Sequence, residues 1–318
     1  MPSILPDIKT TTVALGIGAA FAMGFAATGA ADEPTVEPHI EIRQDVVLEG
    51  PITEDDEPDE AQQAEPDEAT FPWAGEELYY TVRINDAEAM RGGVRAGEVH
   101  TQGNRSYVPV SGSVRSRGFL DAAYSVDDNA VTYLDAVNSF PLRSEKSFDE
   151  AGEFRSYDVD YDHASFSADV ERQRQDREST FQSPIPEETH DMLTWLYDIR
   201  QVDDMSLGDE FSYYIYDGWL LSRLDLEVVD REDTLTPIGW FKTWKLRFTR
   251  HIKEAESNDD GDDGPTVPDL TVEEEARHTG HIWLSRDANK IPVMFTLDTP
   301  FGVGDVSIIH YTPGEPGN

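Results

Sequence analysis

The sequence predicts a mainly β protein, either an antiparallel β-barrel or a strongly curved β-sheet, with one central α-helix packed on it or plugging it. Three observations carry that reading. Runs of alternating apolar and polar residues recur along the chain, short turn signals separate them, and one stretch alone, residues 187–201, has convincing helical periodicity. Strands before and after a single helix, joined mostly by short turns, suit a barrel or curved sheet.

The chain of 318 residues opens with Lys9 and then an unbroken apolar and small run at 13–27, followed by Thr28, Gly29, Ala30 and Ala31. Residues 1–31 read as a secretory signal cleaved after Ala30 or Ala31. The alternative, a retained anchor, is disfavoured because the run is at the short end of the roughly 17–25 residues that span a bilayer. Export follows, with no stable membrane span after cleavage.

Residues 32–70 hold fifteen carboxylates against one Arg and are Pro-rich with few bulky apolar groups. Such a segment cannot bury enough surface to offset its ordering entropy, so a disordered acidic linker is expected. The β-rich domain is expected over 71–312, with a mobile acidic loop at 254–275 and a frayed tail at 313–318. At its start, Leu78, Tyr80, Val82 and Ile84 alternate with Tyr79, Thr81 and Arg83. Further strands are expected at 94–100, 106–114, 122–126 and 131–136. Asp127-Asp128-Asn129 and Asp149-Glu150-Ala151-Gly152 read as hairpin turns. Residues 154–170 alternate aromatic and polar side chains, and 171–186 read as a charged, Pro-bearing lead into the helix. There Met192, Trp195, Leu196 and Ile199 share one face, Thr189 is the expected N-cap, and Tyr197 and Arg200 fall off that face, where a polar rim is expected. After the helix, Phe211-Tyr213-Ile215, Leu224-Leu226-Val228, Trp244-Leu246-Phe248, Val293-Phe295-Leu297 and residues 303–310 mark a second run of strands.

Three separated motifs resemble the bacterial family called domain of unknown function 3108. They are FPWAGEELYYTV at 71–82, DMLTWLYDIR at 191–200 and GHIWLSRDANKIPVMF at 280–295. The resemblance spans about residues 71–311, with the acidic loop as a departure. It implies an exported or envelope-associated β-rich protein and supplies no catalytic residues.

The formal net charge is −39. A surface so acidic repels phosphate backbones and anionic head groups, which excludes nucleic acid as a partner. Cysteine is absent, so no disulfide, thiolate nucleophile or cysteine metal site exists. His278 and His281 lie three apart on an expected strand, pointing to opposite faces, one outside and one inside, which is poor chelate geometry. The run at 258–264, NDDGDDG, fails the calcium-loop pattern: with Gly261 sixth, the twelfth position is Val267 rather than Glu. No G-x-S-x-G elbow or phosphate loop is present. No catalytic residue, metal or cofactor is therefore assigned, and the protein is not expected to be an enzyme.

What remains is an aromatic-rich interior. Trp195, Tyr197, Arg200, Tyr214, Trp219 and Trp240 are the candidate ligand-binding residues, because Tyr and Trp join a broad apolar face to a polar tip. The expected function is non-catalytic binding or carriage of an apolar small molecule or lipid in a β-barrel cavity. A structural or protein-interaction module of the envelope is the alternative, and an exported hydrolase a distant third. Dense carboxylates with only six Lys also suit a saline habitat. Thermal midpoints measured from low to molar salt are therefore expected to rise as screening relieves self-repulsion; a flat profile would remove the salt-adaptation idea.

Overall fold

The computed structural model describes residues 70–175, 177–252, 278–299 and 302–315. The expected signal, linker (to residue 69), acidic loop and last three residues of the tail lie outside the described residues.

The alternating start becomes β1 (Glu77–Ile84), joined to β2 (Ala87–Ala96) by Asn85-Asp86. Both turn residues have positive φ, 50° and 66°, the backbone that matches strand twist in a two-residue hairpin. Next come β3 (His100–Gln102), β4 (Arg105–Ser116) and a short helix, α1 (Gly118–Ala123). The expected strand at 122–126 is thus replaced by the end of α1 and the first residue of β5 (Val126–Asp135). Asp127-Asp128-Asn129 is not a turn but part of β5, because Asp128 is buried and faces the interior. Of the expected turn Asp149-Glu150-Ala151-Gly152, only Ala151-Gly152 forms the connection from β6 (Pro141–Glu150) to β7 (Glu153–Asp162), while Asp149 and Glu150 end β6. Residues 171–186 are no mere lead-in: they complete β8 (Ser167–Arg174) and form β9 (Arg177–Pro184).

The second half holds β10 (Thr189–His190), the central helix α2 (Thr194–Gln201), β11 (Glu210–Tyr216), β12 (Leu221–Thr236), β13 (Gly239–Ile252), β14 (His278–Ser285), β15 (Pro292–Thr299) and β16 (Gly302–Thr312). All sixteen strands share one sheet in the order β10-β11-β12-β13-β14-β15-β16-β1-β2-β4-β5-β6-β7-β8-β9, with β3 beside β4. Pairing is antiparallel except between β10 and β11. Each half is a meander, and the β1–β16 pairing sews the two together. The sheet is open, with β9 and β10 as its edges. It is nevertheless strongly curved: the Tyr161 hydroxyl on β7 donates to the carbonyl of Tyr216 on β11, 2.9 Å away, from the opposite end of the strand order.

Helix α2 is shorter than its periodicity suggests. The N-cap position is Leu193, whose side chain makes no cap bond; the capping bonds expected of Thr189 come from Asp191, whose Oδ1 accepts from the N–H groups of Leu193 and Thr194, both at 2.9 Å. Thr194 Oγ1 accepts from the Asp191 N–H in return at 3.0 Å, a reciprocal box that satisfies donors otherwise orphaned at a helix start. Thr189 instead donates to the Pro186 carbonyl. Leu196, Tyr197, Ile199 and Arg200 are all buried, so the helix plugs the concave side. Tyr197 packs on Phe71 and Trp73, while Ile199 joins Leu224, Leu226, Leu246 and Leu284 from the second meander. Each such apolar side chain contributes about 1.5–3 kcal/mol of burial.

Arg200 anchors this plug. Its guanidinium donates to both carboxylate oxygens of Glu76, at 2.7 and 2.5 Å, and to the Asn289 carbonyl at 3.0 Å. Neither side chain of the pair has exposed surface. Trp73 lies beneath the guanidinium, 4.5 Å from ring centroid to Cζ. Burial opposes the Arg200 charge, and the bond and charge of Glu76 outweigh it, holding the pKa above the ordinary value. Gly280 in β14 is required by close approach: a Cβ there would lie 2.0 Å from the Thr296 carbonyl oxygen on β15.

Glu76→Gln leaves a buried cation without its anion and is expected to cost about 3–5 kcal/mol in urea unfolding. The double change Glu76→Leu with Arg200→Met should be milder than Glu76→Gln alone. A single change costing no more than an exposed pair would show that the pair is not buried in solution.

Candidate functional site

The structure distributes the candidate aromatic residues instead of gathering them. Tyr197 and Arg200, expected on a polar rim, sit at the centre of the plug, because the Arg200 charge finds its partner inside the fold. Trp195 is half-buried against Tyr213. Tyr214 packs at the margin of the first meander's core. Trp240 stands at the far end of the β12–β13 hairpin, 69% exposed. His278 and His281 are both half-buried, where one outside and one inside were expected.

Trp219 lies beside a buried polar cluster. It lies in the turn between β11 and β12, which folds against the wall made by β5, β6 and β7. On β6, Ser144, Lys146, Phe148 and Glu150 alternate inward, as period-two geometry requires. The direct partners of Ser144, Lys146 and Phe148 are Thr132, Ala130 and Asp128 on β5 and Val159, Tyr157 and Arg155 on β7. The Trp219 ring lies tilted against Tyr157, with centroids 4.4 Å apart, and meets Phe148 edge-on at 5.4 Å. Gly218, at φ 93°, brings the turn so near that a Cβ would lie 2.8 Å from Val159 Cγ2. Only a glycine fits both the positive φ and the approach.

Beside the aromatic faces runs a buried ionic network. Lys146 Nζ is 3.6 Å from Asp217 Oδ1 and 3.8 Å from Asp191 Oδ2. Arg250 donates to Asp217 Oδ2 at 3.0 Å and to Ser222 Oγ at 2.9 Å. Thr132 donates to Asp191, the same carboxylate that caps α2, so the wall and the plug share a residue. Arg155 pairs with Glu150 and lies 5.8 Å over the Phe148 ring. Three cations face three carboxylates. His190 stays neutral near the plug, its pKa lowered to about 3 by burial and then by the charge of His163.

Asp128 is the exception in this balance. It is fully buried, and neither carboxyl oxygen has a well-formed hydrogen bond, the Asp149 backbone N–H alone lying near enough to favour the ionised form. Burial, then the Glu150 charge, raises its pKa to about 8, so at neutral pH it is mostly a neutral acid that can donate as well as accept. Further hydrogen-bonding capacity is unspent at Lys146 Nζ, Arg155 Nε and Trp219 Nε1. The arrangement sets a buried aromatic group, of which Trp219 alone is partly exposed, beside a cluster of unspent donors, in a region of balanced charge. Among the described residues no three His, Asp or Glu groups converge as a metal site.

The family model described as Protein of unknown function (DUF3108) matches residues 79–308. No curated protein sequence matches the chain. Among solved structures, a β-barrel-like protein of domain of unknown function DUF1849 from Brucella abortus is similar at 10% identity and TM-score 0.48, covering 77% of this chain and all of that one. A candidate lipoprotein from Parabacteroides distasonis shares 12% identity at TM-score 0.31, covering 76% of this chain and 97% of that one. A protein with a YmcC-like fold from Bacteroides fragilis shares 11% identity at TM-score 0.29, covering 76% and 98%. No residue role passes from them to this chain.

The raised Asp128 pKa fixes the sign of a pH effect. The folded state holds this proton more tightly than the unfolded chain, so the associated stability is full below about pH 4 and is lost as pH rises through about 8. Asp128→Asn keeps the shape and removes the titration. Its thermal midpoint should exceed that of the natural protein at pH 8–9, by about 1–3 kcal/mol of stability, and match it near pH 4. Parallel pH profiles for the two proteins would show that Asp128 does not carry this charge penalty.

Proposed function

The chain belongs to the family of unknown function DUF3108, and from its own residues we propose that it is an exported, non-enzymatic envelope protein that binds an uncharged amphipathic molecule against the β5–β7 wall. One observation carries the reading: Phe148, Tyr157 and the half-buried Trp219 pack together beside buried groups whose hydrogen-bonding capacity is unspent. A molecule with an apolar body and a carbonyl, ester or hydroxyl head matches both parts. The balanced charges and neutral Asp128 disfavour an ionic head, which would be buried without a counterion. The apolar run at 13–27, followed by small residues, supports export and delivery to the periplasmic or extracellular side.

Access runs through residues 217–220. Trp219 and Leu220 are only half-buried, while the wall behind them is closed, so the turn is the gate and α2 the fixed plug.

The test is mass spectrometry of small molecules extracted from the protein purified from its own cells, together with titration by the neutral probe N-phenyl-1-naphthylamine. The natural protein should carry an uncharged lipid-like molecule and bind the probe, and Trp219→Ala should weaken probe binding about tenfold through loss of stacking. No extracted molecule and no probe binding, or binding indifferent to Trp219→Ala, would sink the proposal.

A further inference from the structure

The β12–β13 hairpin extends beyond its neighbours. β11 pairs with β12 only as far as Glu227, and β14 pairs with β13 only from Thr243 onward. Residues 234–241 therefore pair only with one another, in the registers Thr234↔Phe241, Leu235↔Trp240 and Thr236↔Gly239. One face of this end is packed down, with Thr234 and Thr236 buried and Phe241 against the core of Leu78, Val82 and Met90; Thr234 and Thr243 share a hydrogen bond at 2.8 Å, and Thr236 donates to the Gly239 carbonyl at 3.0 Å. Its other face is apolar and bare. Leu235 is 59% exposed, Ile238 41% and Trp240 69%, and the first and last of these are direct cross-strand neighbours.

Charge sets this tip apart from the rest of the molecule. In a chain of net charge −39, residues 234–241 carry none, and residues 230–247 hold four cations against three carboxylates. Below the Leu235–Trp240 pair come Asp233↔Lys242 and then Arg231↔Trp244. The guanidinium groups of Arg231 and Arg286 lie 5.1 and 5.2 Å from the Trp244 ring centroid. Apolar residues at the point, with Trp, Lys and Arg one step behind, make the order that suits a lipid–water interface.

We propose that this hairpin tip docks the protein on a lipid bilayer surface, with Leu235, Ile238 and Trp240 entering the head-group level. The narrow point argues against a protein partner or a second copy. Three exposed side chains fall short of the roughly 1,000 Å² that a stable protein interface buries. Interfacial insertion needs only apolar atoms passing the head groups, and the braced turn loses little freedom in doing so. The acidic remainder of the chain selects zwitterionic over anionic lipid.

The test is flotation of the full chain with phosphatidylcholine vesicles. Binding is expected, weaker when phosphatidylglycerol is added at low salt. Leu235→Glu and Trp240→Ser should each lower the partition coefficient about tenfold while leaving the thermal midpoint unchanged, since both positions are exposed. Absence of flotation overturns the proposal. So does flotation indifferent to both substitutions, which would assign binding to another segment such as the apolar run at 13–27. Loss of a dimer in sedimentation, with no effect of either substitution on vesicles, assigns the tip to a second copy and overturns it as well. Probe binding at the β5–β7 wall is read separately, so failure of either proposal leaves the other standing.

Discussion

The bidentate pair of Glu76 and Arg200 is the constraint around which the fold is arranged. It joins residues 124 apart in sequence, one at the entry to β1 and the other in the last turn of α2. β1 is the seam where the two meanders meet, and α2 is the plug between their cores, so this contact sets the plug relative to the seam. A buried ion pair is weak as a source of net stability, because desolvation consumes much of the Coulomb gain. Its worth here is specificity. An apolar helix face could slide by a turn in a concave groove, whereas a guanidinium fork with one carboxylate and one carbonyl to satisfy has a single position. Lys290 reinforces it by donating to the Arg200 carbonyl at 3.0 Å, where a cation also complements the helix dipole.

The same economy of charge governs the concave face. A sheet this wide and this curved encloses more interior than one short helix can fill. The chain completes the filling with polar side chains matched to one another: Lys146 between Asp191 and Asp217, Arg250 on Asp217, Arg155 on Glu150. Asp191 belongs to both systems, capping α2 through one oxygen and meeting Thr132 and Lys146 through the other. Displacing the ionic wall would therefore loosen the plug. Asp128 is the one acid for which this matching fails, and its raised pKa is the physical record of that failure.

Much of this was legible from residue order. Alternation located β1, β4, β11 and the later strands, and the single amphipathic run located α2, because both signals come from local geometry. The site was less legible for a definite reason. On β6 every second residue is polar on both faces, so charge alone could not tell wet from dry. The parity of Phe148 was the usable clue, since it places Ser144, Lys146 and Glu150 on its own side. Asp127-Asp128-Asn129 carried turn chemistry, yet its neighbours Val126, Ala130, Thr132 and Leu134 share the parity of Asp128. That period marks a strand, and the local polar bias hid it. The Glu76–Arg200 pairing was out of reach, because partner choice across 124 residues is set by the curvature of the sheet and not by any local pattern.

The two proposed sites are related by one strand. β12 begins at the Trp219 turn and ends at the exposed tip, and its sixteen residues reach at most about 55 Å when extended. A tip held at a bilayer would thus leave the gate at residues 217–220 a strand's length away, facing the aqueous side. An amphipathic molecule could then not pass directly from the membrane beneath the tip into the wall. It would have to be delivered through water by another carrier, or taken from a second surface opposite the first. Docking at one end and binding at the other favour a tethered receiver over a protein that lifts lipid from the bilayer it rests on.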